Sequence, residues 1–123
     1  MKILLAEDDP NISTIAKLTL EHIGKHQVTV VNNGEEALST ALNNNFDLIL
    51  LDEMMPKLNG LKVCAEYKNQ KHSPCPIIFL SAKSQTEDVE LFKQQGLGYI
   101  AKPFDPAKLC QLIEQLLAGK ALS

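Results

Sequence analysis

Apolar and polar residues follow two alternating periods along this chain, and the change from one to the other recurs five times. Ile3-Leu4-Leu5-Ala6 is a short unbroken apolar run, which is how a strand covered on both faces reads. Asp9-Pro10 follows, an N-cap residue with proline at the first helical position. Ile12, Ile15, Ala16, Leu20 and Ile23 then recur at helical spacing, and Gly24 is expected to stop that helix. Residues 28–31 predict a second strand. Asn33-Gly34 turns the chain into a second helix with Ala37, Leu38, Ala41 and Leu42 on one face, ended by Asn43-Asn44-Asn45.

The third apolar run, Leu48 to Leu51, stops abruptly at Asp52, and Pro56 and Gly60 force a loop after it. Leu61, Cys64 and Tyr67 mark a third helix, and a polar loop through Ser73-Pro74 leads to the fourth strand, Pro76-Ile77-Ile78-Phe79-Leu80, which ends at Ser81. Ser84-Gln85-Thr86-Glu87 has the form of a capping box and predicts the start of a fourth helix, with Val89 and Phe92 turned inward. Tyr99-Ile100-Ala101 is the fifth strand, ending at Lys102. Asp105-Pro106 repeats the earlier capping device, and Leu109, Leu112, Ile113, Leu116 and Leu117 form the clearest amphipathic face, with Gly119 as its expected stop. Strict strand–helix alternation with short connections implies an α/β fold, a parallel sheet covered by helices on both faces. No linker, repeat or low-complexity tract interrupts it, so residues 1–123 read as one domain.

Composition narrows the function classes. The net charge is -3 and no basic run offers a footprint for nucleic acid. The apolar stretches are far too short to cross a membrane. Met1 and Lys2 lead straight into the first strand, so no signal peptide is expected, and the reading is a cytoplasmic protein. Cys64, Cys75 and Cys110 are odd in number and widely spaced, which fits free thiols in a reducing compartment. His22 and His26 have i, i+4 spacing, but Gly24 between them speaks against a shared metal site.

Four strands end in polar residues: Glu7 and Asp8 after the first, Asp52 after the third, Ser81 after the fourth and Lys102 after the fifth. Parallel strands bring their carboxyl ends to one edge, where open α/β sheets place ligand sites. Each residue alone has an ordinary structural role as a turn, cap or surface charge; their common placement points to chemistry. Three neighbouring carboxylates repel, and a divalent cation removes the conflict. Mg²⁺ (or Mn²⁺) takes hard oxygen ligands and keeps room for water and phosphate oxygens. Glu7, Asp8 and Asp52 suit such a site, with the backbone carbonyl of Met54 as a further candidate ligand. Lys102 supplies a fixed positive charge for a transferring phosphoryl group, and the Ser81 hydroxyl a donor. Chemistry that uses all five is attack by the Asp52 carboxylate on phosphorus, giving an aspartyl phosphate. Asp9 is read as a helix cap only.

Over nearly its whole length the chain resembles the response-regulator receiver domain of two-component signalling. The motifs are Ala-Glu-Asp-Asp (6–9), Leu-Asp-Glu-Met-Met-Pro-Lys-Leu-Asn-Gly (51–60), Leu-Ser-Ala-Lys (80–83) and Tyr-Ile-Ala-Lys-Pro-Phe (99–104). The resemblance implies a flavodoxin-like, CheY-like (βα)5 doubly wound sheet of order 2-1-3-4-5. It makes Asp52 the phosphoacceptor for a histidine kinase or phosphotransfer domain, Glu7 and Asp8 the Mg²⁺ ligands, and Ser81 and Lys102 the phosphoryl contacts. It also implies a cis Lys102–Pro103 bond, a switch through Ser81 and Tyr99, and an output surface made of helix 4, strand 5 and helix 5. Met54 and Lys83 fall at variable positions that tune phosphoryl lifetime in the family, Met54 by shielding and Lys83 by covering the group with its amine.

The chain departs from the family pattern before the fifth strand, where it reads Gln95-Gly96-Leu97-Gly98, and it lacks the acidic pair of the DNA-binding subfamily's dimer face. A monomer or weak dimer is therefore expected. The chain ends soon after the fifth helix, as a stand-alone receiver or a piece of a longer regulator would. The expected activity is confined to the protein's own phosphorylation and dephosphorylation. Alternatives are a degenerate receiver that acts as a phosphorylation-independent interaction module, an aspartate-based phosphohydrolase, and a flavin or nucleotide module on the same fold. Met54 stands where a phosphohydrolase places its second Asp. Glu7-Asp8-Asp9 replaces the Gly- or hydroxyl-rich loop that a nucleotide module needs.

Overall fold

The computed structural model describes residues 1–83 and 85–122. Five strands, β1 (Lys2–Ala6), β2 (Gln27–Val31), β3 (Leu48–Asp52), β4 (Ile77–Ser81) and β5 (Gly98–Ala101), form one sheet of order β2-β1-β3-β4-β5. Every pairing is parallel. Strands β3 and β4 are buried at all five positions, as expected for strands covered on both faces. Side chains along β1 alternate between two cores. Ile3 and Leu5 join Leu48, Leu50, Ile78 and Leu80 against Ala16 and Leu20 of α1 (Pro10–His22) and Leu109 and Ile113 of α5 (Leu109–Leu122). Leu4 and Ala6 join Ile49, Leu51 and Phe79 against α2 (Gly34–Asn43), α3 (Gly60–Gln70) and α4 (Thr86–Gln95).

Helix starts follow the sequence closely. Asp9 accepts the Asn11 N–H, Asn33 the Glu36 N–H and Asn59 the Lys62 N–H, each at 2.9 Å. Such caps stabilise by about 1 kcal/mol each. Asp105-Pro106 opens a 3₁₀ turn, Pro106–Lys108, that feeds directly into α5. The expected capping box of α4 rests on Ser84, which lies outside the described residues; Gln85 precedes the helix and makes no side-chain cap.

Three expectations need correction. Ile15 and Ile23 do not face the core: they are 46% and 63% exposed, while Ser13 and Thr19 are buried with Ala16 and Leu20. Ile15 lies about 100° round the helix from Ala16, which carries it off the packed stripe. Val89 is only half-buried, and Phe92 alone of α4 is fully buried. Gly119 does not stop α5, which runs on to Leu122. A glycine inside a helix costs only about 1 kcal/mol relative to alanine, and no proline follows to break the helix.

The loop after β3 is drawn tight beneath the sheet edge. Gly60 donates its N–H to the Glu53 carbonyl at 2.9 Å, and a Cβ on Gly60 would collide with the Asp52 carbonyl oxygen. Gly34 likewise abuts the Leu58 carbonyl and donates its N–H to the Pro56 carbonyl at 3.2 Å. These close approaches require residues without side chains, and they fix where β3 delivers Asp52.

Candidate functional site

The carboxyl ends of β1, β3, β4 and β5 meet along one edge, as parallel strands must. Glu7 continues the ladder past β1 by donating its N–H to the Val31 carbonyl at 3.0 Å, and its carboxylate is buried. Asp52, the last residue of β3, is 2% exposed. Asp8 is exposed at the rim. One carboxylate oxygen from each of Glu7, Asp8 and Asp52 lies within 4.8 Å of the others. The Lys102 ammonium reaches in from the end of β5 and donates to Glu7 Oε1 and Asp52 Oδ1, each at 3.0 Å. The Lys102 main-chain N–H bonds the Ser81 carbonyl at 2.8 Å, and the Lys102–Pro103 peptide is cis.

Burial pushes the Asp52 carboxyl up to about 7, with Glu7 and Asp8 adding to the rise and Lys102 opposing it. Burial pulls the Lys102 ammonium down, but Glu7 and Asp52 more than offset this and its pKa ends above the ordinary value. One cation therefore does not balance the three acids. Hard oxygen donors crowded in this way fit a divalent cation, whose charge removes the repulsion that raises Asp52.

Around this centre, Ser81 is buried at the end of β4, next to Leu80, the register partner of Asp52. Its hydroxyl accepts the Lys83 N–H at 3.0 Å, and its own proton has no acceptor among the described residues. Met54 donates its N–H to Asp52 Oδ1 at 3.2 Å, and the residue as a whole is 67% exposed. Tyr99 is half-buried, its ring 5.7 Å from Phe92, which in turn lies 5.1 Å from Phe79. An open groove of about 660 Å³ lies elsewhere, at the amino end of β4 between Lys68, Cys75, Lys93 and Leu116, and none of the site residues lines it.

The model of the response regulator receiver domain matches residues 3–114. The chain belongs to that family. This receiver is 41% identical to the probable transcriptional regulator ycf29 of Pyropia yezoensis, covering 98% of this chain and 55% of that protein. It is 39% identical to the response regulator ArlR of Staphylococcus saprophyticus, covering 94% of this chain and 52% of that one. The chain thus spans about half the length of the curated relatives it matches. Among solved structures, the receiver domain of the Francisella response regulator 1452 superposes with a TM-score of 0.84 at 34% identity, over 97% of this chain and 98% of that one. The Vibrio cholerae chemotaxis protein CheY4 does so at 0.78 and 27%, over 94% and 97%. The (βα)5 fold and sheet order 2-1-3-4-5 are those of this family.

The candidate residues of the receiver lie at or beside this edge, but one of them has a partner that the sequence did not suggest. The Lys83 ammonium does not stand over Asp52; it pairs with Glu53 Oε1 at 3.2 Å. Glu53 escaped the sequence reading altogether. It is 6% exposed, and its Oε2 is buried with no hydrogen-bond partner among the described residues. The signal was available, since an acid directly after Asp52 extends a strand whose preceding four residues are apolar. Among the described residues, no helix is long and apolar enough to cross a membrane.

Proposed function

We propose that Asp52 accepts a phosphoryl group from a histidine kinase or phosphotransfer domain. The observation that carries this reading is the sharing of one half-buried ammonium, Lys102, between Asp52 and Glu7, with Asp8 completing an acidic cluster. A carboxylate oxygen of Asp52 forms a bond to phosphorus as the P–N bond of a phosphohistidine breaks, and the departing imidazole takes up a proton. Lys102 is held where negative charge gathers on the phosphoryl oxygens, and the Ser81 proton points the same chemistry from the β4 side. Glu7, Asp8 and Asp52, with the Met54 carbonyl, would hold Mg²⁺ or Mn²⁺, which when bound supplies the remaining positive charge. The reaction modifies the receiver itself rather than turning over an external ester.

Phosphorylation adds roughly -1.5 to -2 charges at Asp52. Ser81 then donates to the phosphoryl group, and Tyr99, stacked through Phe92 on Phe79, is the side chain through which a shift at the end of β4 reaches α4 and β5. The partner surface is the face of α4, β5 and α5, and the state that engages the phosphoryl group better gains population. Intact-protein mass after incubation with a small phosphodonor, with and without Mg²⁺, tests the reading. A Mg²⁺-dependent gain of one phosphoryl group, absent in Asp52→Asn, is expected. No gain from the small donor or from a panel of histidine kinases would leave a phosphorylation-independent interaction module instead.

A further inference from the structure

Glu53 is the buried charged group that this chemistry leaves unused. A carboxylate on a residue 6% exposed, with one oxygen lacking any donor among the described residues, is costly unless a cation holds it. Its ion-pair partner among the described residues is Lys83. Both members are tethered to the site: Glu53 directly follows Asp52, and Lys83 gives its main-chain N–H to the Ser81 hydroxyl. The Lys83 side chain is 43% exposed, so an anion formed at Asp52 competes with Glu53 for it.

We propose that Glu53 is a positioning residue that holds the Lys83 ammonium away from the acceptor and so keeps the phosphoryl group open to water. The inference rests on Asp52 being the acceptor. For Lys83 to cover the phosphoryl oxygens it must leave Glu53, whose carboxylate would then be buried with no compensating charge. That penalty keeps the ammonium where it is. Water approaches phosphorus opposite the Asp52 oxygen, its O–P bond forms as the Asp52 O–P bond breaks, its proton passes to solvent, and inorganic phosphate leaves. With Glu53 neutral the penalty vanishes, Lys83 moves onto the phosphoryl oxygens, and the approach of water is hindered.

The test compares the parent chain with Glu53→Gln, Lys83→Met and the double variant, each phosphorylated by an acyl phosphate with Mg²⁺, with decay followed by intact mass after the donor is removed. Glu53→Leu, an apolar side chain suited to the strand, repeats the test if the Gln variant folds poorly. The Glu53 variants should lengthen the phosphoryl half-life at least about threefold, a small fraction of a typical catalytic effect, and Lys83→Met should cancel the change. An unchanged half-life, or the same lengthening without Lys83, overturns the proposal. Side-chain ¹⁵N spectra of the unphosphorylated proteins read the holding directly: a Lys83 ammonium signal protected from exchange in the parent should disappear in Glu53→Gln. If the parent takes no phosphoryl group from the acyl phosphate or from a panel of histidine kinases, the acceptor reading fails, and a missing protected signal overturns the proposal on its own.

Discussion

Replacing Asp52 by Asn should make the metal-free protein more stable, and the gain should depend on pH in a defined way. The folded state raises the Asp52 carboxyl from its ordinary 3.8 to about 7, first through burial and then through Glu7 and Asp8. Between these two values the folded chain holds a proton that the unfolded chain has released, so stability falls as pH rises through that window. At about 1.4 kcal/mol per pKa unit, the full cost of keeping Asp52 ionised is on the order of 4 kcal/mol above neutral pH. Asn has the shape of the neutral acid and escapes this cost. Its advantage should be near zero at pH 3, grow through pH 4 to 7, and level off above. Urea denaturation in the presence of a chelator reads it as a shift in midpoint of at least about 1 M at pH 8. Mg²⁺ should then stabilise the parent far more than the variant. An advantage that is the same at pH 4 and pH 8 would refute the electrostatic account of the site.

Phe92→Ala should cost about 3–5 kcal/mol, the usual range for a large buried ring, because Phe92 joins Phe79 to Tyr99. The near-ultraviolet circular dichroism of Tyr99 should change with it, and an unaltered signal would argue against the stack as a coupling element. Gly60→Ala should destabilise by about 1–3 kcal/mol, as overpacking does, and slow phosphorylation, because its Cβ meets the Asp52 carbonyl. The Cβ of Gly119→Ala meets no described residue within 4 Å, and the substitution should instead stabilise α5 by up to about 1 kcal/mol in thermal or urea melts.

The fold was legible because its local signals agree. The apolar runs of β3 and β4 are continuous, Asp9, Asn33 and Asp105 cap where they should, and five alternations leave few topologies open. The errors came where periodicity is a weak guide. Ile15 fits a helical repeat yet lies off the packed stripe, and Gly119 has the residue type of a stop without the chain turning there. The site was legible as a set of strand ends, since parallel pairing alone brings Glu7, Asp52, Ser81 and Lys102 to one edge. Pairing partners were not. Whether the Lys83 ammonium turns toward Asp52 or Glu53 depends on which carboxylate is buried and otherwise unmet, and only the packed side chains decide that.

The Lys102 ammonium sits 95 residues from Glu7 and 50 from Asp52 along the chain, yet touches both. No hairpin, fragment or partly ordered sheet can present that arrangement, because β1, β3 and β5 must all be docked and in register before the ammonium finds its two oxygens. On the reading that Asp52 is the acceptor, chemical competence is thereby withheld from every incomplete form of the protein. A newly made or damaged copy that has lost its edge strand would then be silent rather than miswired, and the receiver would carry its own proof of assembly.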